Sequence, residues 1–550
     1  MKKLLIFIFL LLASCFLFLT CVFCQTTYNL QIIFKKGCPP VPPGANPAGA
    51  SWGKAINGVE DVNKDGFDEI VVGAFADYGP PNTDTLFCHL FLGGNQFDTI
   101  PDLVFRDWCG GTNTLSICGG DLNGDGYSDV AIVCGAGLYI YLGGNPMDTT
   151  PDFFLPYVEN VFVPIAVACG DVNGDDTTDL IVGDYWDPDG KGQVRIYHGS
   201  ANFDLIPDII LYGGHGDSGE EFGFSVGSGG DANKDGFEDV AVGAFCYGDG
   251  PNAPFSAGRV YVYYGGSPMD TVYDMAKCGE QAGGYLGECN VDFFDDSVDF
   301  AGLTAGYTEW NGAQGKTWCW FGGSPMDSVV DIEIIGVTDT SWEGYWVSTA
   351  GWINRGKCQE VISGAAGETV FGSRGGIWLG EKPMDNILDA YIMSTAPYKF
   401  LGDRVACAGD VNGDTRNEVM VSNYTSDSLP TVWVCKYTGP EGTEEQQNAE
   451  CGMRNAECRL MQNCPNPFSH TTVISYQLSV NSNVSLKIYN LAGQLVKTLV
   501  NELTSSRFIG MRSVVWDGRD ESGKCVASGV YFYRLQAGDF TAIKKMILLR

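Results

Sequence analysis

Five short stretches of this 550-residue chain carry oxygen-bearing side chains at the same offsets. They are DVNKDGFDE from Asp61, DLNGDGYSD from Asp121, DVNGDDTTD from Asp171, DANKDGFED from Asp231 and DVNGDTRNE from Asp410. Positions 1, 3, 5 and 9 hold Asp61, Asn63, Asp65 and Glu69 in the first, and Asp121, Asn123, Asp125 and Asp129 in the second. The third has Asp171, Asn173, Asp175 and Asp179, the fourth Asp231, Asn233, Asp235 and Asp239, and the last Asp410, Asn412, Asp414 and Glu418. Position 7 offers a main-chain carbonyl, from Phe67, Tyr127, Thr177, Phe237 and Arg416. A tight loop of such ligands suits a hard cation that takes six to eight oxygens, so Ca²⁺ is expected at about five sites. Gly at position 6 lets the chain turn sharply. Asn and Asp also shape plain turns, but a turn does not need carboxylates at four fixed offsets.

The loop shares its first letters with EF-hand and dockerin-like loops, which need an acid at position 12. Here that position is Val72, Ile132, Val182, Val242 or Val421. The chain therefore runs from the loop into a buried strand and not a helix. Two weakened versions, around Asn290 to Asp299 and from Trp352 to Glu360, complete a series of seven units. Trp352 and Gly356 replace two ligands in the sixth, so no metal is expected there. A second recurring element follows every loop but the last: GGNQFDTIPD from Gly93, GGNPMDTTPD from Gly143, GSANFDLIPD from Gly199, GGSPMDTVYD from Gly265, GGSPMDSVVD from Gly322 and GEKPMDNILD from Gly380. Apolar runs lie between loop and turn and after the turn, with short Trp52-Gly53, Phe222-Gly223, Leu286-Gly287 and Leu401-Gly402 pieces before the next loop. Four short strands per unit, seven times over, predict a seven-bladed β-propeller across residues 25–438.

The stretch FGFSVGSGGDANKDGFEDVAVGAF, Phe222 to Phe245, resembles the FG-GAP repeat of integrin α-subunit propellers and many secreted bacterial proteins. The resemblance covers roughly residues 45 to 438, though Gly73-Ala74-Phe75 and Gly243-Ala244-Phe245 stand where Gly-Ala-Pro is expected. The seventh unit ends at TVWVCKYTG without a turn or a strand after it, while YNLQIIFKKG, Tyr28 to Gly37, is an orphan apolar run. The two are expected to pair and close the ring.

The formal charge of −34 argues against binding nucleic acid. Residues 1–24 read as an export signal cut before Gln25, with an uncut anchor or a lipobox at Cys15 as alternatives. No later segment is apolar enough to span a bilayer. Of the 20 cysteines, three lie in the signal. Cys118, Cys169 and Cys407 precede equivalent loops, which reads as a small buried strand position and not a disulfide framework.

Residues 439–463 read as a linker, and 464–550 as a small immunoglobulin-like β-sandwich of opposite charge. Residues 461–550 hold ten Lys or Arg against five Asp or Glu, which leaves −39 to the rest of the chain. Asn466-Pro467-Phe468, the IYNLAGQLV block at Ile488, Trp516-Asp517-Gly518, Gly529-Val530-Tyr531 and the terminal KKMILLR resemble the C-terminal sorting domain of type IX secretion cargo, and the related flagellar-hook-capping immunoglobulin-like domain. That resemblance implies export by the type IX machinery to the surface of a Gram-negative-type bacterium. An ordinary accessory module is the alternative.

Nothing resembles a catalytic constellation. His89, His198, His215 and His470 sit in unrelated contexts, and His215, Asp217 and Ser218 fall in what reads as a loop. The expected function is adhesion, or binding of an extracellular protein or glycan. The alternative is a hydrolase or lyase acting on polysaccharide or lipid at the propeller channel.

Overall fold

A computed structural model of the chain describes residues 25–37, 51–439 and 459–549, apart from 77–84, 96, 109–114, 160, 186–190, 214–219, 249–255, 281–283, 289–290, 296–300, 308–314, 337–341, 355–358, 367–372, 379–387, 395–399, 425–429, 461–467, 469–471, 479–482, 492, 504–509 and 539. The export segment, the turn from Gly380 and the His215 group lie outside the described residues. Every regular element among the described residues is a strand, and no helix is long and apolar enough to cross a membrane.

Up to residue 442, apart from 385–387, the chain forms one compact unit. Its strands make seven antiparallel sheets among the described residues. The first sheet runs in chain order through Ser51–Gly58, Ile70–Ala76, Thr85–Phe91 and Leu103–Trp108. The next four repeat this order, and their first strands are Leu115–Gly120, Pro164–Gly170, Phe222–Gly227 and Val291–Asp295. The sixth and seventh begin at Glu343–Gly351 and Phe400–Gly409. Each first strand contacts the next, and Phe400–Gly409 contacts Ser51–Gly58, so the series returns to its start.

Sequence and structure count the strands differently. Reading onward from the loop makes the recurring turn join the second strand to the third. In the structure the short piece before the loop is the first strand of its sheet, so the turn joins the third to the fourth. Those pieces carry the bulges: pairing slips between Trp52 and Ala55, Phe222 and Ser225, and Leu401 and Arg404. The glycine at each slip has a left-handed backbone, with φ of 76°, 85° and 87° at Gly53, Gly223 and Gly402. Val291–Asp295, inside the stretch read as the fifth loop, is itself the first strand of its sheet.

The second strands are continuous apolar runs because neighbouring sheets cover both of their faces. Asp129–Cys134, Asp179–Asp184 and Glu360–Ala365 are buried at every position. The cores accordingly lie between sheets. One cluster joins Val71 and Leu90 to Ile132 and Tyr139, another Val182 to Leu138, and a third Val421 to Ile377.

Leu30–Gly37 pairs antiparallel with Thr431–Tyr437 as the fourth strand of the seventh sheet, as the orphan run implies. Gln25–Tyr28, just ahead of it, pairs with Ala390–Ser394 and adds a fifth strand to the sixth sheet, which the sequence did not announce. A correction concerns the cysteines: Cys118 and Cys169 form a disulfide between the first strands of adjacent sheets, with Cα atoms 6.1 Å apart. Equivalent positions in consecutive repeats face each other across the join, so a buried Cys118 and a half-buried Cys169 become a crosslink. Cys407, at the matching place in the seventh sheet, is a free thiol.

The second unit has two sheets. One is Arg459–Leu460, Thr472–Leu478 and Gly510–Trp516; the other is Leu495–Leu503, Asn483–Asn490, Gly529–Ala537 and Phe540–Leu548. Trp516, Tyr476 and Ile474 from one pack with Tyr533, Leu486 and Met546 from the other. Arg459–Leu460 brings part of the stretch read as linker into this domain.

Phe34 is 2% exposed and packs against Phe91 and Phe97 in a cluster shared by the seventh and first sheets. Phe34→Ala should cost about 3–5 kcal/mol. In thermal unfolding of the full chain this should appear as a lowered Tm, and an unchanged Tm would show that the amino-terminal strand contributes nothing to closure.

Candidate metal centres

The five intact loops fold alike around the carboxylate at position 1. One oxygen accepts the N–H of position 5, at 3.1, 3.0, 3.1, 3.1 and 3.0 Å for Asp65, Asp125, Asp175, Asp235 and Asp414. The other accepts the N–H of position 6, from Gly66, Gly126, Asp176, Gly236 and Thr415. Position 6 is left-handed in each loop, including the non-glycine Asp176 and Thr415 at φ of 63° and 69°. In four loops the carboxylate at position 5 then accepts the N–H of Phe67, Tyr127, Thr177 or Phe237.

Position 9 is different in kind. Glu69, Asp129, Asp179, Asp239 and Glu418 are all fully buried. In the first four, one oxygen accepts the N–H of position 2, from Val62, Leu122, Val172 and Ala232. Asp129, Asp179 and Asp239 also accept from the first residue of the recurring turn, Gly143, Gly199 and Gly265. Burial, reinforced by the neighbouring carboxylates, pushes Glu69, Asp239 and Glu418 up to about 8, and Asp129 and Asp179 to about 7. The sixth unit keeps the latch without the ligands, since Glu360 accepts from Ile353 at 3.0 Å.

The donors fit a cation. Carboxylate oxygens of Asp61, Asp65 and Glu69 lie within 4.8 Å of one another. Asn63 Oδ1, Glu69 Oε1, Asn173 Oδ1, Asp414 Oδ1 and Glu418 Oε2 are buried acceptors with no hydrogen-bond partner, and all are expected ligands. A buried acceptor left without a donor is costly, and a hard cation would satisfy several at once. The loop from Asp410 differs, because Lys436 forms an ion pair with Asp414 there and brings positive charge to the site.

The loops also hold one another. The N–H of position 8 donates to the position 1 carbonyl of the preceding loop: Ser128 to Asp61, Thr178 to Asp121 and Glu238 to Asp171, each at 3.1 Å, and Asp68 to Asp410 at 3.2 Å. Each described copy of the recurring turn donates to the position 2 carbonyl in the preceding unit, from Gly94 to Val411, Gly144 to Val62, Ser200 to Leu122, Gly266 to Val172 and Gly323 to Ala232. This docking accounts for the turn's recurrence. Position 8 was invisible in the sequence, since it acts through its backbone and its residue type varies.

Residues 468–539 match the FlgD Ig-like domain. That match lies within the second unit and supports the hook-capping resemblance of the carboxyl-terminal sandwich. Over 96 aligned residues the chain is 38% identical to integrin alpha-3 of Mus musculus, covering 16% of this chain and 8% of the relative. Integrin alpha-3 of Cricetulus griseus matches equally, at 38% over 96 residues. The chain therefore spans under a tenth of the curated relatives it matches.

Positions 5 and 9 should separate on mutation. Asp125 is exposed, so Asp125→Ala should leave the melting temperature in EDTA nearly unchanged and remove part of the gain produced by added Ca²⁺. Asp129→Ala strands the N–H groups of Leu122 and Gly143, and should cost about 1–3 kcal/mol even in EDTA. Equal effects of the two in EDTA would show that the loop carboxylates share one structural role.

Proposed function

We propose that the seven sheets are the blades of a closed propeller, that Ca²⁺ occupies its intact loops, and that it is a secreted or cell-surface module for adhesion or ligand binding. The observation that carries this reading is the set of orphaned oxygens in loops that clamp neighbouring sheets together. Cation binding there rigidifies a scaffold and leaves its loop surfaces free to recognise a partner. The likeness to integrin alpha-3, confined to a short stretch, points the same way. The carboxyl-terminal domain serves as the export and attachment module, handled by type IX secretion machinery.

Calorimetry should register one Ca²⁺ per intact loop, with the Asp410 loop weakest because Lys436 must be displaced. An array of extracellular glycans and surface proteins should then show binding that is lost in EDTA. A chain that binds no Ca²⁺, or that turns over glycans or esters, would sink this reading.

The sandwich has its own apolar core, so removing residues 459–550 should leave a folded propeller. In the native host the truncated chain should fail to reach the surface. Its normal arrival there would overturn the export role.

A further inference from the structure

The first strands of all seven sheets enclose a cavity of about 670 Å³. Its two ends differ in charge. Toward the metal loops it is lined by Glu60, Asp61 and Asp68. Lys54 and Arg404 lie toward the opposite ends of their strands, near the bulges that open the first and seventh sheets.

Arg404 lies over the Trp346 ring at 4.0 Å and is fixed through Nη1, which donates to the Asp403 carbonyl at 2.6 Å and sits 3.5 Å from the Asp403 carboxylate. Its remaining guanidinium N–H groups make no hydrogen bond among the described residues. Lys54 makes none at all there. Burial and the nearby Arg404 hold the Lys54 ammonium below its ordinary range, with Asp403 as the only carboxylate acting against them. Two cations against one carboxylate leave a single positive charge, inside a region that carries −39 overall. Asp292, a further acid of the lining, is already held by Ser348 Oγ and the Thr349 N–H, both at 2.9 Å.

We infer that this end of the cavity is a binding site for a small monocarboxylate bearing hydroxyl groups, a sugar acid, with Lys54 and Arg404 taking the carboxylate. One negative charge neutralises the surplus, whereas a dianionic phosphate overshoots it. Guanidinium offers a carboxylate two parallel N–H donors, and Trp346 holds its plane. The volume lies in the range of small-molecule sites. Ser116 in the lining accepts the Val167 N–H at 3.2 Å through Oγ and has its own O–H left to donate to a ligand hydroxyl. This rests on the reading of the propeller as a binding module and names the chemistry of one of its ligands.

The test is titration of the Ca²⁺-loaded full-length chain with D-glucuronate, D-glucose and inorganic phosphate, followed by calorimetry and Trp fluorescence. Glucuronate should saturate a single site and perturb the fluorescence, while glucose should not bind. Lys54→Met and Arg404→Met should each weaken glucuronate about tenfold or more. Lys54 makes no hydrogen bond, so its variant should keep the parent melting temperature and decides the matter if Arg404→Met fails to fold. Binding of glucose as tight as glucuronate, tighter binding of phosphate, or unchanged affinity in Lys54→Met would each overturn the site. Persistent Ca²⁺-dependent array binding without any glucuronate binding would overturn this inference and leave the adhesion reading standing.

Discussion

The hydrogen bond from position 8 of one loop to position 1 of the loop before it is the contact on which the rest of the first unit depends. A sheet of four strands has two apolar faces and cannot be stable by itself. It must be held against a neighbour at a fixed angle, and side-chain packing alone tolerates some sliding. Main-chain bonds between rigid loops remove that freedom. The loop is rigid because its first carboxylate collects two of its own N–H groups, and it is anchored because its ninth is buried beneath it.

Those two carboxylates divide the labour in a way the sixth unit exposes. There the ligand positions have become Trp352 and Gly356, yet Glu360 still accepts from Ile353, and Asn417 still donates to the Trp352 carbonyl at 2.9 Å. The joint between sheets thus survives without a metal-binding set. On the proposed reading, cation binding would be an addition to an already folded joint. Lys436 beside Asp414 shows an intermediate case, in which a side-chain ammonium stands close to the carboxylates.

Much of this was readable from residue types at fixed offsets. The loops, the strands after them and the orphan partner of Thr431–Tyr437 follow from periodicity, because burial on both faces demands unbroken apolar runs. What was not readable depends on proximity between units. Cys118 and Cys169 look like separate small residues until adjacent first strands bring them together. Lys54 and Arg404 lie far apart in sequence and meet only because the seventh sheet contacts the first. Gln25–Tyr28 gave no signal as a strand of the sixth sheet, since its edge pairing needs backbone alone and its QTTY sequence carries no apolar pattern.

The pairing of Leu30–Gly37 with Thr431–Tyr437 joins segments roughly four hundred residues apart, which bears on the order of assembly. A ribosome finishes the amino-terminal strand first, but its hydrogen-bonding partner is the last strand of the first unit to be made. Until then the backbone of Leu30–Gly37 has no strand to pair with, although the first five sheets, each of four consecutive strands, can already form behind it. Closure of the first unit is then a late step, in which its earliest strands meet its latest ones.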